Sequence, residues 1–102
     1  MTADTLARIL TLRVDLRDEK ACAEVSPEMA EKYLTAKRWS LTLERERVTL
    51  WNACGEFAVN VPREQSFADY GRRMCEVVAE VARAEERSPI AVWVDMMEGR
   101  AA

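Results

Sequence analysis

The first clear pattern in the chain is an alternation of apolar and polar positions over residues 9–17. The apolar positions of this segment are Leu10, Leu12, Val14 and Leu16. A period of two predicts a strand with one buried face. A helix is the alternative, but it would place Arg13 in its apolar stripe, so the strand is favoured.

Two Ser-Pro steps predict the starts of helices. Ser26 can cap free backbone amides and Pro27 suits the first helical position. The apolar face that follows predicts a helix that ends near Arg38. The same step recurs at residues 88–89 and predicts a short last helix that ends at Gly99. The β-branched start of that segment leaves a strand as the alternative.

Three short alternating segments between these helices predict a β-meander. They cover residues 39–43, 47–51 and 56–61, and Pro62 stops the last one. The connection over residues 52–55 contains the asparagine and the glycine that a turn favours. We therefore expect an antiparallel sheet of three strands.

A longer amphipathic helix is predicted after the meander. Ser66 would open it, with Asp69 three residues on as a short capping box. Its apolar residues recur at helical spacing, at Phe67, Tyr70, Met74, Val77, Val78 and Val81. The chain is thus predicted to form a single α+β domain over residues 1–102, a small antiparallel meander packed against helices. Residues 9–17 would add a fourth strand in front.

The composition mainly excludes functions. The chain of 102 residues has a net charge of −3, no histidine, and three cysteines without a Cys-x-x-Cys pair. Histidine is the usual acid–base group at neutral pH, and zinc sites need more closely spaced ligands. We therefore expect no enzyme activity, no metal and no cofactor. Unpaired cysteines, with no signal peptide and no long apolar run, predict a cytoplasmic protein without a membrane contact.

Three features of residues 26–87 suggest a family resemblance. They are a Tyr-Leu-x-x-x-Arg-Trp step at residues 33–39, the short meander, and a Val-Asn-Val-Pro strand ending at residues 59–62. In this order of helix, three strands and helix, the chain resembles the double-stranded-RNA-binding-domain-like fold. The version most similar to it is the HicA-type toxin module.

The functional residues of those proteins do not match this sequence. HicA-like ribonucleases resemble one another in a Gly-Ser-His step leading into the second strand, where residues 45–48 read Arg-Glu-Arg-Val. The RNA-binding relatives have lysines at the start of the last helix, where residues 66–69 read Ser-Phe-Ala-Asp. The resemblance therefore implies a shared fold without the known activities.

The solvent face of the predicted sheet is the first candidate binding surface. If Val48 and Leu50 point toward the core, then Arg47, Thr49 and Trp51 point to solvent. A polar sheet face with one tryptophan and one arginine has the composition of a protein-binding patch. Alternatively, the first predicted strand covers this face, or the tryptophan folds over the strand end.

The last predicted helix is the second candidate surface, because it has more large apolar residues than packing needs. Ile90 and Met97 can pack on the long helix, and Trp93 can do so as well. Exposed tryptophan and methionine are typical of partner-binding surfaces. We therefore expect Trp93 and Met96 to contact another protein, with Met96 suited to a homodimer.

These observations favour a non-enzymatic domain that binds another protein. Its size is typical of a small regulator, an antitoxin-like partner, or a phage or mobile-element inhibitor of a host defence complex. The alternative is an RNA- or DNA-binding module, because residues 37–73 have a charge of +2, seven basic against five acidic residues. Its candidate contacts are Arg38, Arg45, Arg47, Arg63, Arg72 and Arg73.

Overall fold

The structure is a computed structural model that describes residues 18–100. Its elements are α1 (Glu19–Ala23), α2 (Pro27–Ala36), β1 (Ser40–Glu44), β2 (Val48–Ala53), β3 (Phe57–Pro62), α3 (Tyr70–Glu85) and α4 (Pro89–Glu98). The α+β class and the antiparallel three-stranded meander, in the order β1-β2-β3, are confirmed. The strand predicted over residues 9–17 lies outside the described residues.

Both predicted Ser-Pro helix starts are confirmed. The Ser26 hydroxyl accepts a hydrogen bond from the amide three residues on, and the Ser88 hydroxyl accepts one from the amide two residues on. The last segment is therefore a helix and not a strand. Helix α2 ends at Ala36, two residues earlier than predicted, because Arg38 adopts a left-handed φ of 66°.

Helix α3 begins later than the sequence predicts. Its first helical residue is Tyr70, and the predicted cap Ser66 lies in the preceding turn. Asp69 occupies the N-cap position, but its carboxylate binds the side chain of Arg73 and not a backbone amide. The predicted capping box is therefore wrong, because an ion pair on the same turn takes the carboxylate that a cap would use.

Helix α1 was not predicted from the sequence. The carboxylate of Asp18 caps it by accepting hydrogen bonds from the amides of Lys20 and Ala21, at 2.9 and 3.2 Å. It packs against α3 so closely that a Cβ on Gly71 would overlap the carbonyl oxygen of Glu19. A capping aspartate was the only signal for this helix, since five residues are too few to show a period.

The register of the sheet shows which strand residues face the helices. Val59 and Val61 of β3 are buried on the helix side, and they lie opposite Trp51 and Thr49 of β2. Residues directly opposite each other on antiparallel strands point to the same face. Thr49 and Trp51 are accordingly 4% and 6% exposed. The prediction that they face solvent is wrong.

A hydrogen-bonded chain explains how a polar threonine is accommodated in this core. The indole nitrogen of Trp51 donates to the hydroxyl of Thr49 at 2.9 Å, and that hydroxyl donates to a carboxylate oxygen of Glu31 at 3.0 Å. Each polar atom in the chain has a partner, so burial carries little penalty. Alternation alone could not reveal this, because the strand has apolar residues on both faces.

Helix α4 forms part of the core. Trp93 and Met96 are each 1% exposed, since α4 packs against both α2 and α3. The indole nitrogen of Trp93 donates to the carbonyl oxygen of Ala21 at 3.0 Å. The prediction that these two residues are exposed for a partner is therefore wrong. Their apolar surface is already used within the domain.

Candidate functional site

Strand β1 is the most exposed element of the described structure. All five of its residues are exposed, including Leu41 at 45% and Leu43 at 40%. It lies at the edge of the sheet, and its extensive contacts with the described elements are with β2 alone. Its outer edge has no strand partner within residues 18–100. We call the strand Ser40–Glu44 with this free side the open edge.

A β-bulge places the two exposed leucines of the open edge on different faces of the sheet. Leu41 lies opposite Trp51, whereas Leu43 lies opposite Leu50, so that Thr42 is the extra residue between them. Opposite residues share a face. Leu41 is therefore on the helix side of the sheet and Leu43 is on the solvent side.

Side-chain hydrogen bonds hold this bulge in place. The hydroxyl of Thr42 donates to the side-chain oxygen of Asn52 at 2.6 Å. The amide nitrogen of Asn52 in turn donates to the carbonyl oxygen of Phe57 at 3.4 Å. These bonds connect β1, β2 and β3 across the sheet. The open edge is thus attached to the domain by β2 and by this polar link, with little support from the helices.

The solvent face of the sheet is more apolar than the sequence predicts. Val48 and Leu50 are half-buried on this face, beside the exposed leucine of β1. Ala58 and Asn60 are exposed. The predicted Arg47 is also exposed. The apolar character of this face was not predicted, because Val48 and Leu50 of β2 were expected to point toward the core.

One end of the solvent face is closed by the loop between β3 and α3. The guanidinium of Arg47 lies 4.0 Å from the ring centroid of Phe67. These two residues, together with Val48 and Pro62, line a cleft of about 170 Å³. Of the predicted partner-binding residues, Arg47 alone remains exposed, and stacking on the ring occupies one side of its guanidinium.

At the other edge of the sheet, β3 packs against α3. Glu80 of α3 accepts hydrogen bonds from the guanidinium of Arg83 at 2.9 and 3.0 Å. That bond is the main reason why the pKa of Glu80 is lower than usual, and the backbone amide of Ala58 on β3 lowers the pKa further. Glu80 and Ala58 line the same cleft of about 240 Å³ between α3 and the β3 edge.

Three of the predicted nucleic-acid contacts meet at one end of the sheet. The side chain of Arg63 donates to the carbonyl oxygen of Arg45 at 2.7 Å, and its backbone amide donates to the carbonyl of Arg47 at 2.9 Å. All three arginines are exposed. Within residues 18–100, none of their guanidinium groups forms an ion pair. We call Arg45 and Arg47 of the β1–β2 hairpin, together with Arg63 after β3, the arginine cluster.

The other predicted arginine contacts do not join this cluster as free charges. Arg72 and Arg73 pair with Asp69 at 3.5 and 2.9 Å, and Arg72 also pairs with Glu76 at 3.4 Å. The hydrogen bond from Arg73 is the main cause of a lowered pKa at Asp69. Arg38 precedes β1 and so lies at the end of that strand remote from the hairpin.

A partly buried polar cluster connects α2, α3 and α4. The hydroxyl of Tyr33 donates to Glu85, with distances of 2.7 and 2.9 Å to the two carboxylate oxygens. Arg87 pairs with Glu85 at 2.9 Å and with Asp95 at 2.6 Å. Burial, and then the bond to Glu85, raise the pKa of Tyr33. The phenol therefore stays neutral and the cluster holds helices together.

The cysteine thiols differ in their surroundings. The three thiols are free; Cys22 is buried, Cys54 is exposed and Cys75 is half-buried. A hydrogen bond with Cys75, followed by burial, raises the pKa of Cys22, which keeps that thiol protonated. No group of three or more potential metal ligands lies within residues 18–100. None of the helices in that range is long and apolar enough to cross a membrane.

Comparison with known proteins adds no assignment. No protein family model, no curated protein and no solved structure matches this chain. The resemblance to the double-stranded-RNA-binding-domain-like fold remains a prediction from the order of the elements. The open edge, the solvent face and the arginine cluster are the features of the described structure that bear on its function.

Proposed function

We propose that this chain is a non-enzymatic, regulatory protein-binding domain whose open edge pairs with an extended segment of another protein. The observation that carries the proposal is a free edge strand with one exposed leucine on each face of the sheet. Exposed edges promote association unless they are blunted. β1 is short and has one bulge, but it has no proline, and no helix within residues 18–100 covers it.

Strand addition fits the chemistry of the open edge. The free backbone groups of β1 would pair with the added segment, and side-chain contacts would supply specificity. Leu41 and Leu43 would contact alternate side chains of the segment on the two faces of the sheet. Since each leucine is only 40–45% exposed, burial of the remaining surface would contribute about 1 kcal/mol per leucine. The bulge limits the length of pairing, which favours a short segment.

The proposal is tested by capture from native-host lysate with the wild-type chain and with a variant that combines Leu41→Lys and Leu43→Lys. A matched control combines Ala58→Lys and Asn60→Lys on β3, where both residues are also exposed. The captured protein should be lost with the β1 variant and retained with the β3 variant. Nuclease treatment should change neither result. The β1 amides should then exchange more slowly in the purified complex.

Two outcomes would contradict this proposal. Equal capture by the β1 and β3 variants would exclude the open edge as the binding surface. An unbound chain that is dimeric, and that becomes monomeric in the β1 variant, would identify a second copy as the occupant of the edge. Sedimentation of the isolated wild type and variant distinguishes that case from a different partner.

The arginine cluster supports a second candidate function, RNA or DNA binding. Arg45, Arg47 and Arg63 have exposed guanidinium groups, with no ion pair within residues 18–100. Three phosphate contacts would give a slope of about −2.7 in log affinity against log salt for duplex DNA. Replacing Arg45 and Arg63 with glutamine should reduce the slope by about 1.8. No binding of a 20-base-pair duplex at low salt would exclude this candidate.

A further inference from the structure

Two cysteine side chains meet where α1 packs against α3. The thiol of Cys75 on α3 donates a hydrogen bond to the backbone carbonyl oxygen of Asp18 at 3.8 Å. The same carbonyl oxygen accepts a hydrogen bond from the backbone amide of Cys22 at 3.1 Å. One acceptor at the start of α1 therefore holds a thiol of α3 beside a cysteine of α1.

The two thiols also contact each other directly. A hydrogen bond joins the side chains of Cys22 and Cys75. A thiol has a single proton, and that of Cys75 is donated to the carbonyl oxygen of Asp18. The proton of the bond between the thiols therefore belongs to Cys22. The two sulfur atoms are thus neighbours, as the formation of a disulfide requires.

The backbones of α1 and α3 approach each other closely at this point. A Cβ on Gly71 would overlap the carbonyl oxygen of Glu19. Cys75 lies one turn after Gly71 on α3, and therefore on the same face of that helix. Cys22 lies one turn after Glu19 on α1. Because a disulfide needs Cα atoms within about 7 Å of each other, the crossing of these two helices is favourable for one.

The surroundings of the two thiols differ, which gives them separate roles. Cys22 is fully buried, and the hydrogen bond with Cys75, followed by burial, raises the pKa of its thiol. A buried, protonated thiol reacts slowly with an oxidant, because the thiolate is the reactive form. Cys75 is half-buried, so it is the thiol of this pair that an oxidant from solvent reaches. Cys22 follows as the second partner.

We propose that Cys75 and Cys22 form a redox-active dithiol, which a peroxide converts into a disulfide that joins α1 to α3. The thiolate of Cys75 attacks one oxygen of hydrogen peroxide, the O–O bond breaks, and the departing hydroxide takes up a proton to form water. The sulfur of Cys22 then attacks the sulfur of the resulting sulfenic acid. The S–O bond breaks, and the thiol proton leaves with the hydroxyl group as a second water. Two thiols are oxidised and one peroxide is reduced.

The disulfide would change how firmly α1 is held. In the reduced chain, this helix of five residues is held by its packing on α3 and by the hydrogen bond from Trp93 to Ala21. A covalent link to α3 would suppress local opening of so short a helix. The open edge belongs to β1, whose extensive contacts are with β2 alone. The dithiol therefore does not depend on the protein-binding proposal.

The test treats the folded chain with hydrogen peroxide in a Cys54→Ser background, which removes the exposed third thiol. Remaining thiols are then alkylated in denaturant and the products are identified by mass spectrometry without a reductant. We expect a monomer that has lost two hydrogen atoms, takes up no alkylating agent, and yields one pair of peptides joined through Cys22 and Cys75. The α1 amides should exchange at least about tenfold more slowly than in the reduced chain, and dithiothreitol should reverse both changes.

Two variants in the same background separate the roles of the thiols. Cys22→Ala removes the thiol that completes the disulfide, so a sulfenic acid at Cys75 should persist and be trapped by dimedone. Cys75→Ser nearly keeps the size of a half-buried side chain, and should leave Cys22 reduced and the exchange of α1 unchanged after peroxide. Because this second variant leaves no large cavity, its lack of a disulfide does not reflect a loss of the fold.

Three results would overturn the proposal. Alkylation of Cys22 in a chain whose Cys75 is already oxidised would show that the two thiols do not combine. A dimer joined through Cys75 would show that the thiol of another chain reaches it before Cys22 does. A disulfide that leaves the exchange of the α1 amides unchanged would show that the link does not hold this helix.

Discussion

The two edges of the sheet differ in what covers them. Along β3, helix α3 buries Val59 and Val61 and brings Glu80 to the backbone of the strand. Along β1, no described element covers the strand, and Leu41 and Leu43 are exposed. Both strands have alternating apolar residues. Burial of an apolar strand residue is therefore decided by its neighbours in space and not by the pattern.

This difference separates stability from function within one small sheet. Residues of β3 contribute to folding through contacts with α3, so changes there should destabilise the domain. Residues of β1 are more exposed, so changes there should destabilise the domain less. If the comparison holds, equivalent substitutions on β1 and β3 must change the free energy of unfolding by very different amounts.

The largest expected effect is the difference between two alanine substitutions. Val61→Ala should lower the free energy of unfolding by about 2 kcal/mol, because it removes fully buried carbon atoms and leaves a cavity. Leu43→Ala removes more atoms, yet it should change the free energy by less than about 0.5 kcal/mol, because the side chain is exposed. Urea unfolding measures both values.

A similar loss of unfolding free energy in the Val61→Ala and Leu43→Ala variants would contradict this comparison. It would mean that the leucine on β1 is buried in solution, against residues of the chain or a second copy. Repeating the unfolding at two protein concentrations identifies a second copy, because only an association depends on concentration.

Amide hydrogen exchange should show the same difference without any substitution. We expect the hydrogen-bonded amides of β1 to exchange at least about tenfold faster than those of β3, because local opening of the uncovered strand exposes little apolar surface. Mass spectrometry of peptides from the two strands measures this. Equal protection would show that the sheet opens as one unit, despite its unequal edges.

The smallest expected effect concerns Glu80 and pH. Its pKa is lowered in the folded chain, so its carboxylate stabilises the fold fully above the ordinary pKa of about 4.3. That stabilisation is lost as the pH falls through the lower folded value. Glu80→Gln should therefore cost up to about 1 kcal/mol at pH 7 and almost nothing at pH 2.

The control for that measurement is Glu76→Gln, since Glu76 lies on the same helix and binds only the exposed Arg72. The control should change stability less than Glu80→Gln at pH 7. An undiminished effect of Glu80→Gln at pH 2 would show that the packing of the side chain, and not its charge, matters at this edge.

The sequence alone predicts the local features of this fold. The starts of α2 and α4 were predictable because a serine cap and a proline act within one helical turn. The three strands were predictable from period two. Features that depend on residues distant in the sequence could not be predicted in this way. The orientation of Thr49 and Trp51 depends on which β3 residues lie opposite them, and the bulge at Thr42 depends on Asn52.

The candidate sites were harder to predict than the fold. Trp93 and Met96 were expected at a surface, but two other helices cover them. Arg72 and Arg73 were expected as phosphate contacts, but Asp69 and the next turn of α3 pair with them. In each case the residue type suggested a role. Whether the side chain is exposed or paired depends on its surroundings, and these come from distant parts of the chain.

The contact between α1 and α3 constrains how this sequence can diverge. Any side chain at Gly71 would collide with the backbone of Glu19, whereas we expect substitutions at the exposed open edge to leave the fold intact. Over evolutionary time the glycine should persist, whereas β1 should vary more freely. A distant relative would therefore be recognised by a glycine at the second position of the long helix, and not by the sequence of β1.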